Sequence, residues 1–160
     1  MQDIALGKRI KQTYPDIVLH ASTQAGICNE NGARYVKDCG FSRVILARET
    51  PLTEIKKITK IIETEVFVQG ALCTCFSGQC YFSSFIGGNS GNRGRCVGSC
   101  RKMYELINKT TNESLGSSYI LSMKDLATIE SLNDLSFVDS LKIEGRMKEP
   151  SYVASVTNTY

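Results

Sequence analysis

Histidine is almost absent from this chain: one residue, His20, in 160. That excludes an H-E-x-x-H zinc helix and leaves any serine or cysteine nucleophile a single imidazole as its base. Long apolar runs are missing as well, and none approaches the roughly 20 residues of a membrane helix. The opening Met1-Gln-Asp-Ile-Ala5 lacks the basic stretch and apolar core of a secretory signal. No glycine- or proline-rich linker divides the sequence. A net charge of +3, from 19 basic and 16 acidic residues, is too small to demand a polyanionic partner. These deficits predict one domain over residues 1–160, in a reducing cytoplasm and without a membrane partner. A chain of this length buries about 68–70% of its unfolded surface.

Cysteine, by contrast, is plentiful: seven residues, an odd number that intrachain disulfides cannot use up. Four of them, Cys73, Cys80, Cys96 and Cys100, fall within 28 glycine-rich residues. Thiolates are soft ligands, and glycines let a backbone wrap closely around a compact inorganic core. The C-x6-C-x15-C-x3-C spacing lacks the paired short knuckles of a zinc ribbon. An iron–sulfur cluster in a loop spanning residues 69–101 is the favoured expectation, with structural zinc as the alternative. Cys28 and Cys39 are expected as packing groups on a helix, and Cys75 as a spare thiol able to replace Cys73. Arg93, Arg95, Arg101 and Lys102 flank the last two cysteines, as a site for phosphate or carboxylate would.

Apolar runs alternate with amphipathic stretches along the chain. After a helix over Ile4–Tyr14, strands are expected at Ile17–Ala21, Arg43–Ala47, Val66–Val68, Tyr119–Leu121 and Ser140–Glu144. Between them, a helix is expected over Gln24–Cys39, closed by Gly40. Another follows Pro51, with Thr53 as N-cap and Ile55, Ile58, Ile61 and Ile62 on one face. A third spans Leu126–Leu132 behind a capping box at Ser122–Asp125, and a last one starts at Glu149-Pro150-Ser151. About five strand–helix units with a Cys/Gly-rich insertion predict an α/β fold with a parallel sheet. Five units are too few for the eight of a (β/α) barrel, so a partial TIM-type barrel, a piece of its later part, is expected. An open sheet of this kind has exposed edges, which predict self-association or pairing with a missing N-terminal barrel half.

The segment from Glu65 through Gly70-Ala-Leu-Cys73 and Ser77-Gly-Gln-Cys80 to Ser83 resembles the signature of the collagenase-like peptidase family U32. Three further blocks resemble the same family in the same order: His20-Ala-Ser-Thr-Gln24, Ser90-Gly-Asn-Arg-Gly-Arg-Cys96 with Cys100-Arg101, and Lys142-Ile-Glu-Gly-Arg146-Met147-Lys148. The resemblance implies a TIM-type barrel. Several members of that family are iron–sulfur proteins that hydroxylate a nucleobase of tRNA or ribosomal RNA, with prephenate as cosubstrate. By that resemblance Cys73, Cys80, Cys96 and Cys100 hold a [4Fe–4S] cluster, and the Ser-Gly-Asn-Arg-Gly stretch is closer to the ribosomal-RNA branch. Members commonly carry His where this chain has Gln69, which removes an ionisable group there.

In this reading His20, Gln24, Glu49, Lys142, Glu144 and Arg146 form the catalytic set, orienting a base or relaying protons at the strand ends. Arg48, Arg93 and Arg101, together with Arg146, hold a dicarboxylate cosubstrate or RNA phosphate. The alternatives are a collagenase-like peptidase, for which His20 with Ser22 or Ser83 and the separated Glu49, Glu65 and Glu144 are the only visible groups, and a cluster-binding scaffold without turnover.

Overall fold

The computed structural model describes residues 1–146 and 148–160; Met147, within one of the family-like blocks, lies outside them. Helix α1 (Ile4–Thr13) starts where Asp3 accepts a hydrogen bond from Leu6 N at 2.8 Å. The helix expected over Gln24–Cys39 divides. A 3-10 turn, Thr23–Ala25, ends at Gly26 with φ +68°. Helix α2 then runs only over Glu30–Asp38, capped by Asn29, which accepts from Gly32 N at 2.9 Å. Cys28 therefore precedes the helix, while Cys39 forms its C-cap and is buried. Gly40 follows with φ +90°, a left-handed conformation that suits glycine.

Strand β1 (His20–Ala21) lies parallel to β2 (Arg43–Ile45), and β2 parallel to β3 (Glu63–Ala71). Helix α3 (Leu52–Ile58) is capped by Pro51 and not by Thr53, which lies inside its first turn. Ile55 and Ile58 face the core from α3, and Ile62 reaches it from the turn beyond. Along β3 buried and half-exposed residues alternate, so Thr64, Val66 and Val68 point inward while Glu65, Phe67 and Gln69 share the other face.

The second half departs further from expectation. Tyr119–Leu121 is exposed and forms no strand. A hairpin stands before it, β4 (Tyr104–Ile107) against β5 (Ser114–Ser118), turning where Asn108 Oδ1 accepts from Thr110 N at 2.9 Å. The start of the helix expected at Leu126–Leu132 is instead β6 (Asp125–Ala127), antiparallel to the end of β3, followed by a 3-10 segment over Ile129–Leu135. The end of β3, Gln69-Gly70-Ala71, needs backbone partners, and pairing with β6 supplies them more fully than a helix packed beside it would. Strand β7 (Ser140–Ile143) is parallel to β3, and α5 (Pro150–Thr159) begins with proline in its first turn.

The result is a mixed α/β fold on a five-stranded sheet, with β1, β2, β3 and β7 parallel and β6 antiparallel. Among the described residues the sheet is open, and β1, β6 and β7 each pair with a single strand. The core lies between the sheet and helices α2 and α3, built from Val36, Val44, Leu46, Ile55, Ile58 and Val68.

Candidate functional site

The chain leaves β3 at Ala71, forms a lobe containing five cysteines, and returns on β6. The departure is possible because residue 70 is glycine: its φ is +137°, and a Cβ there would come within 2.8 Å of Glu144 Cβ. That contact sets Glu144, just past β7, against the root of the lobe. Arg101 closes the root from above. Its guanidinium donates to Leu72 O at 2.8 Å, to Ser122 Oγ at 3.1 Å and to Met123 O, and it lies 3.4 Å from Asp125 Oδ1.

The first arm of the lobe is docked on the sheet by Glu49, whose carboxylate accepts from Ser77 N and Ser77 Oγ, both at 2.9 Å. Gly78 makes the closest approach, since a Cβ on it would lie 2.2 Å from Gln24 O. Glu49 and Gln24 thus act as anchors of the cysteine loop. The second arm hangs from the short helix α4 (Phe82–Gly87). Buried Ser83 accepts from Val97 N at 3.3 Å and donates to Cys96 Sγ at 3.7 Å, and Gly98 N donates to the same sulfur at 3.4 Å.

The thiols sense one another. Desolvation pushes the Cys73 thiol up, Arg48 opposes it, and Cys100 and Cys96 push it further. Cys80 is pushed up by desolvation, lowered by the Phe82 amide, and raised by Cys75 and Cys96. All four expected ligands and Cys75 therefore share one lobe. Among the described residues no three His, Cys, Asp or Glu side chains are grouped closely enough to hold a metal ion. In donor type the lobe fits a thiolate-held metal group: soft ligands, amide and hydroxyl donors to sulfur, and glycines at the turns.

Beside Cys73 opens a cleft of about 360 Å³, lined by Arg48, Glu49, Phe76 and Met123 among others. Arg48 dominates it. The side chain is 12% exposed, its guanidinium lies 3.7 Å from the centre of the Phe67 ring, and it is ion-paired with Glu144. Its Nε is buried without a hydrogen-bond partner. Lower on the same sheet face, Lys142 Nζ reaches Glu65 Oε1 at 2.9 Å, and Arg43 lies 3.4 Å from the same carboxylate. Burial raises the Glu65 carboxyl, but Lys142, Ser140 and Arg43 outweigh it and hold its pKa below the ordinary range.

The structure thus places Gln24, Arg48, Glu49, Glu144, Arg101 and the lobe that carries Cys73, Cys75, Cys80, Cys96 and Cys100 at one end of the sheet. His20 is not among them. It is in register with Arg43, which pairs with Glu63 at the start of β3, and it stands four residues before Gln24. Lys142 sits between the two ends. Arg93 and Arg146 are exposed. Sequence reasoning missed Tyr152, which accepts from Gln69 Nε2 at 2.8 Å, and Tyr160, whose hydroxyl donates to Gln69 Oε1 at 3.2 Å. No motif announced them. Ser83, expected as a candidate nucleophile and as the end of the Cys80-Tyr-Phe-Ser83 run, instead accepts from Val97 N and donates to Cys96 Sγ.

The sequence profile described as Peptidase family U32 matches residues 1–160. A 23S rRNA 5-hydroxycytidine C2501 synthase of Escherichia coli is 42% identical over 165 residues, covering all of this chain and 25% of that protein. A tRNA hydroxylation protein P1 of Bacillus subtilis is 36% identical, covering 94% of this chain and 38% of its own length. A Collagenase of Porphyromonas gingivalis is 34% identical, over 90% of this chain and 39% of the relative. The chain therefore spans about a quarter to two fifths of these relatives. No solved structure matches it.

Proposed function

The chain belongs to peptidase family U32, and from that membership together with its thiol lobe we propose that it serves hydroxylation of an RNA nucleobase, a 23S rRNA cytidine or a tRNA uridine. The observation that carries this reading is that Cys73 and Cys75 line a cleft whose wall is Arg48 paired to Glu144, while Cys80, Cys96 and Cys100 belong to the same lobe. Relatives named for rRNA and tRNA hydroxylation align over nearly the whole chain.

In this reading Cys73, Cys80, Cys96 and Cys100 hold a [4Fe–4S] cluster, with Cys75 as their neighbour. The cluster supplies the electron chemistry that side chains lack. Arg48 binds a carboxylate of the cosubstrate, prephenate: its fork is planar, its Nε is unengaged, and Phe67 holds it in plane. Glu144 keeps that guanidinium aimed until the anion arrives. Phe76 and Met123 give the cleft apolar walls. A volume near 360 Å³ suits a small organic acid or one base. The parallel β1-β2-β3-β7 order is that of neighbouring strands in a (β/α) barrel, and the reading keeps a barrel as the parent architecture, acting in the cytoplasm.

Peptidase chemistry has less to support it. The sole imidazole, His20, is in register with Arg43 and Glu63 at the start of β3, does not line the cleft, and makes no side-chain hydrogen bond to a serine or cysteine among the described residues. Mass spectrometry of nucleosides from cells with and without the gene tests the reaction. Loss of hydroxycytidine from rRNA or hydroxyuridine from tRNA is expected; unchanged profiles of both would falsify it. Anaerobically purified protein should be brown with about four irons per chain, and colourless protein after reconstitution would remove the cluster, leaving a metal-free reading.

A further inference from the structure

The lobe carries a second set of side chains that the cleft does not use. From Leu72 to Met103 the chain has four cations, Arg93, Arg95, Arg101 and Lys102, and no aspartate or glutamate. The hairpin that follows sets Glu105 and Glu113 against Lys109. Three aromatic rings of the lobe stand in solvent: Phe85 is 90% exposed, Phe76 71% and Tyr81 59%. Phe85 N donates to Tyr81 O at 3.1 Å, which sets these two residues one helical turn apart on one side of α4. The arginine-bearing loop is tied to the same helix, through Ser84 Oγ to Asn89 O at 3.2 Å and Val97 N to Ser83 Oγ at 3.3 Å. Phe76 lines the cleft beside Arg48 and Cys73.

Exposed rings invite either an apolar protein surface or unpaired bases. Charge decides between them. A lobe with cations and no carboxylates attracts a polyanion, and every base has a face that stacks on an aromatic ring. A duplex would keep its bases stacked inside and leave the rings unused. We propose that the cysteine lobe binds an unpaired RNA segment, stacking bases on Phe85 and Tyr81 and holding phosphates at Arg93 and Arg95. Arg101 is engaged by the lobe's own carbonyls and stays with them. The strand then crosses α4 toward Phe76 and delivers one base to the cleft. This rests on the RNA reading above and adds that the target is a loop or single-stranded end, with the route it takes.

The test is fluorescence anisotropy of the intact protein with a labelled, unstructured RNA of about 12 nucleotides, against a duplex of equal length. Phe85→Ala should weaken single-strand binding about tenfold. Phe85→Trp should retain it, and Phe85→Leu, which keeps apolar area without a ring, should lose as much as alanine. Arg93→Ala with Arg95→Ala should reduce the slope of log affinity against log salt by about 1.4. Leu115→Ala on the hairpin should change nothing. Wild-type affinity in Phe85→Leu, or equal affinity for duplex and single strand, overturns the proposal. The two readings fail separately: unchanged nucleoside profiles with this binding pattern intact remove the reaction and keep the surface, whereas gene-dependent hydroxylation with an unaltered RNA KM in Phe85→Ala removes the surface and keeps the reaction.

Discussion

The chain up to Ala71 and the lobe that follows it are held together by different means. Every fully buried apolar side chain among the described residues lies between Leu19 and Val68. Beyond Ala71 the buried side chains are three hydroxyls, Ser77, Ser83 and Ser99. The first region folds by removing apolar surface from water. The second is pinned by Glu49, Arg101 and Ser83 and by the close approach of Gly78. Such a lobe sits at the low end of local stability, where binding segments are drawn from. A metal group gripped by its thiols would add ordering that no core there provides.

The comparison breaks first in the core. Leu46, 1% exposed, should lose about 2–5 kcal/mol of global stability as Leu46→Ala, seen as a lower denaturant midpoint. Equal sensitivity of lobe and core in that experiment would show them to be one cooperative unit. Gly78→Ala should be the most damaging change in the lobe, because φ is +75° and the new Cβ meets the Gln24 carbonyl. A cost of about 1–3 kcal/mol in docking should speed proteolysis between Thr74 and Arg101 while the main unfolding midpoint stays put. Glu49→Gln weakens two charge-assisted hydrogen bonds, about 1.5 kcal/mol, and should speed amide exchange at Ser77 selectively.

The smallest effect is acid titration of the sheet face. Glu65 is held below its ordinary value despite burial, so it stabilises the fold fully above the unfolded pKa, about 4.3. That contribution is lost as pH falls from there through the lower folded value. Midpoints measured down the acid limb should therefore show a slope that Glu65→Gln removes, without altering the lobe's proteolysis.

The sequence was most legible where hydrophobic burial decides. The apolar face of Ile55 and Ile58, the β-branched run of β3 and the Glu149-Pro150 helix start all appear as expected. It misled where local signals were outweighed. Gly26 splits the first long helix, a left-handed residue that the pattern of apolar spacing could not weigh. Ser122–Asp125 has capping-box chemistry, yet the backbone groups at the end of β3 recruit the following residues as a strand. At the site, the cysteines and Arg48 were visible as residue types at telling positions. The absence of His20 from the cleft lining was not, because it depends on which end of a parallel strand the residue enters.

Arg101 clasps Leu72, where the chain leaves the sheet, to Ser122 and Met123, where it comes back. With its feet buckled side by side, the intervening excursion is a cassette. Doubling the length of such a closed loop adds only about 0.6 kcal/mol of closure entropy. Provided Arg101 is kept, evolution or an engineer can therefore lengthen, trim or swap the rest of what lies between the feet, retuning what the protein grips, while the strands beneath keep their register.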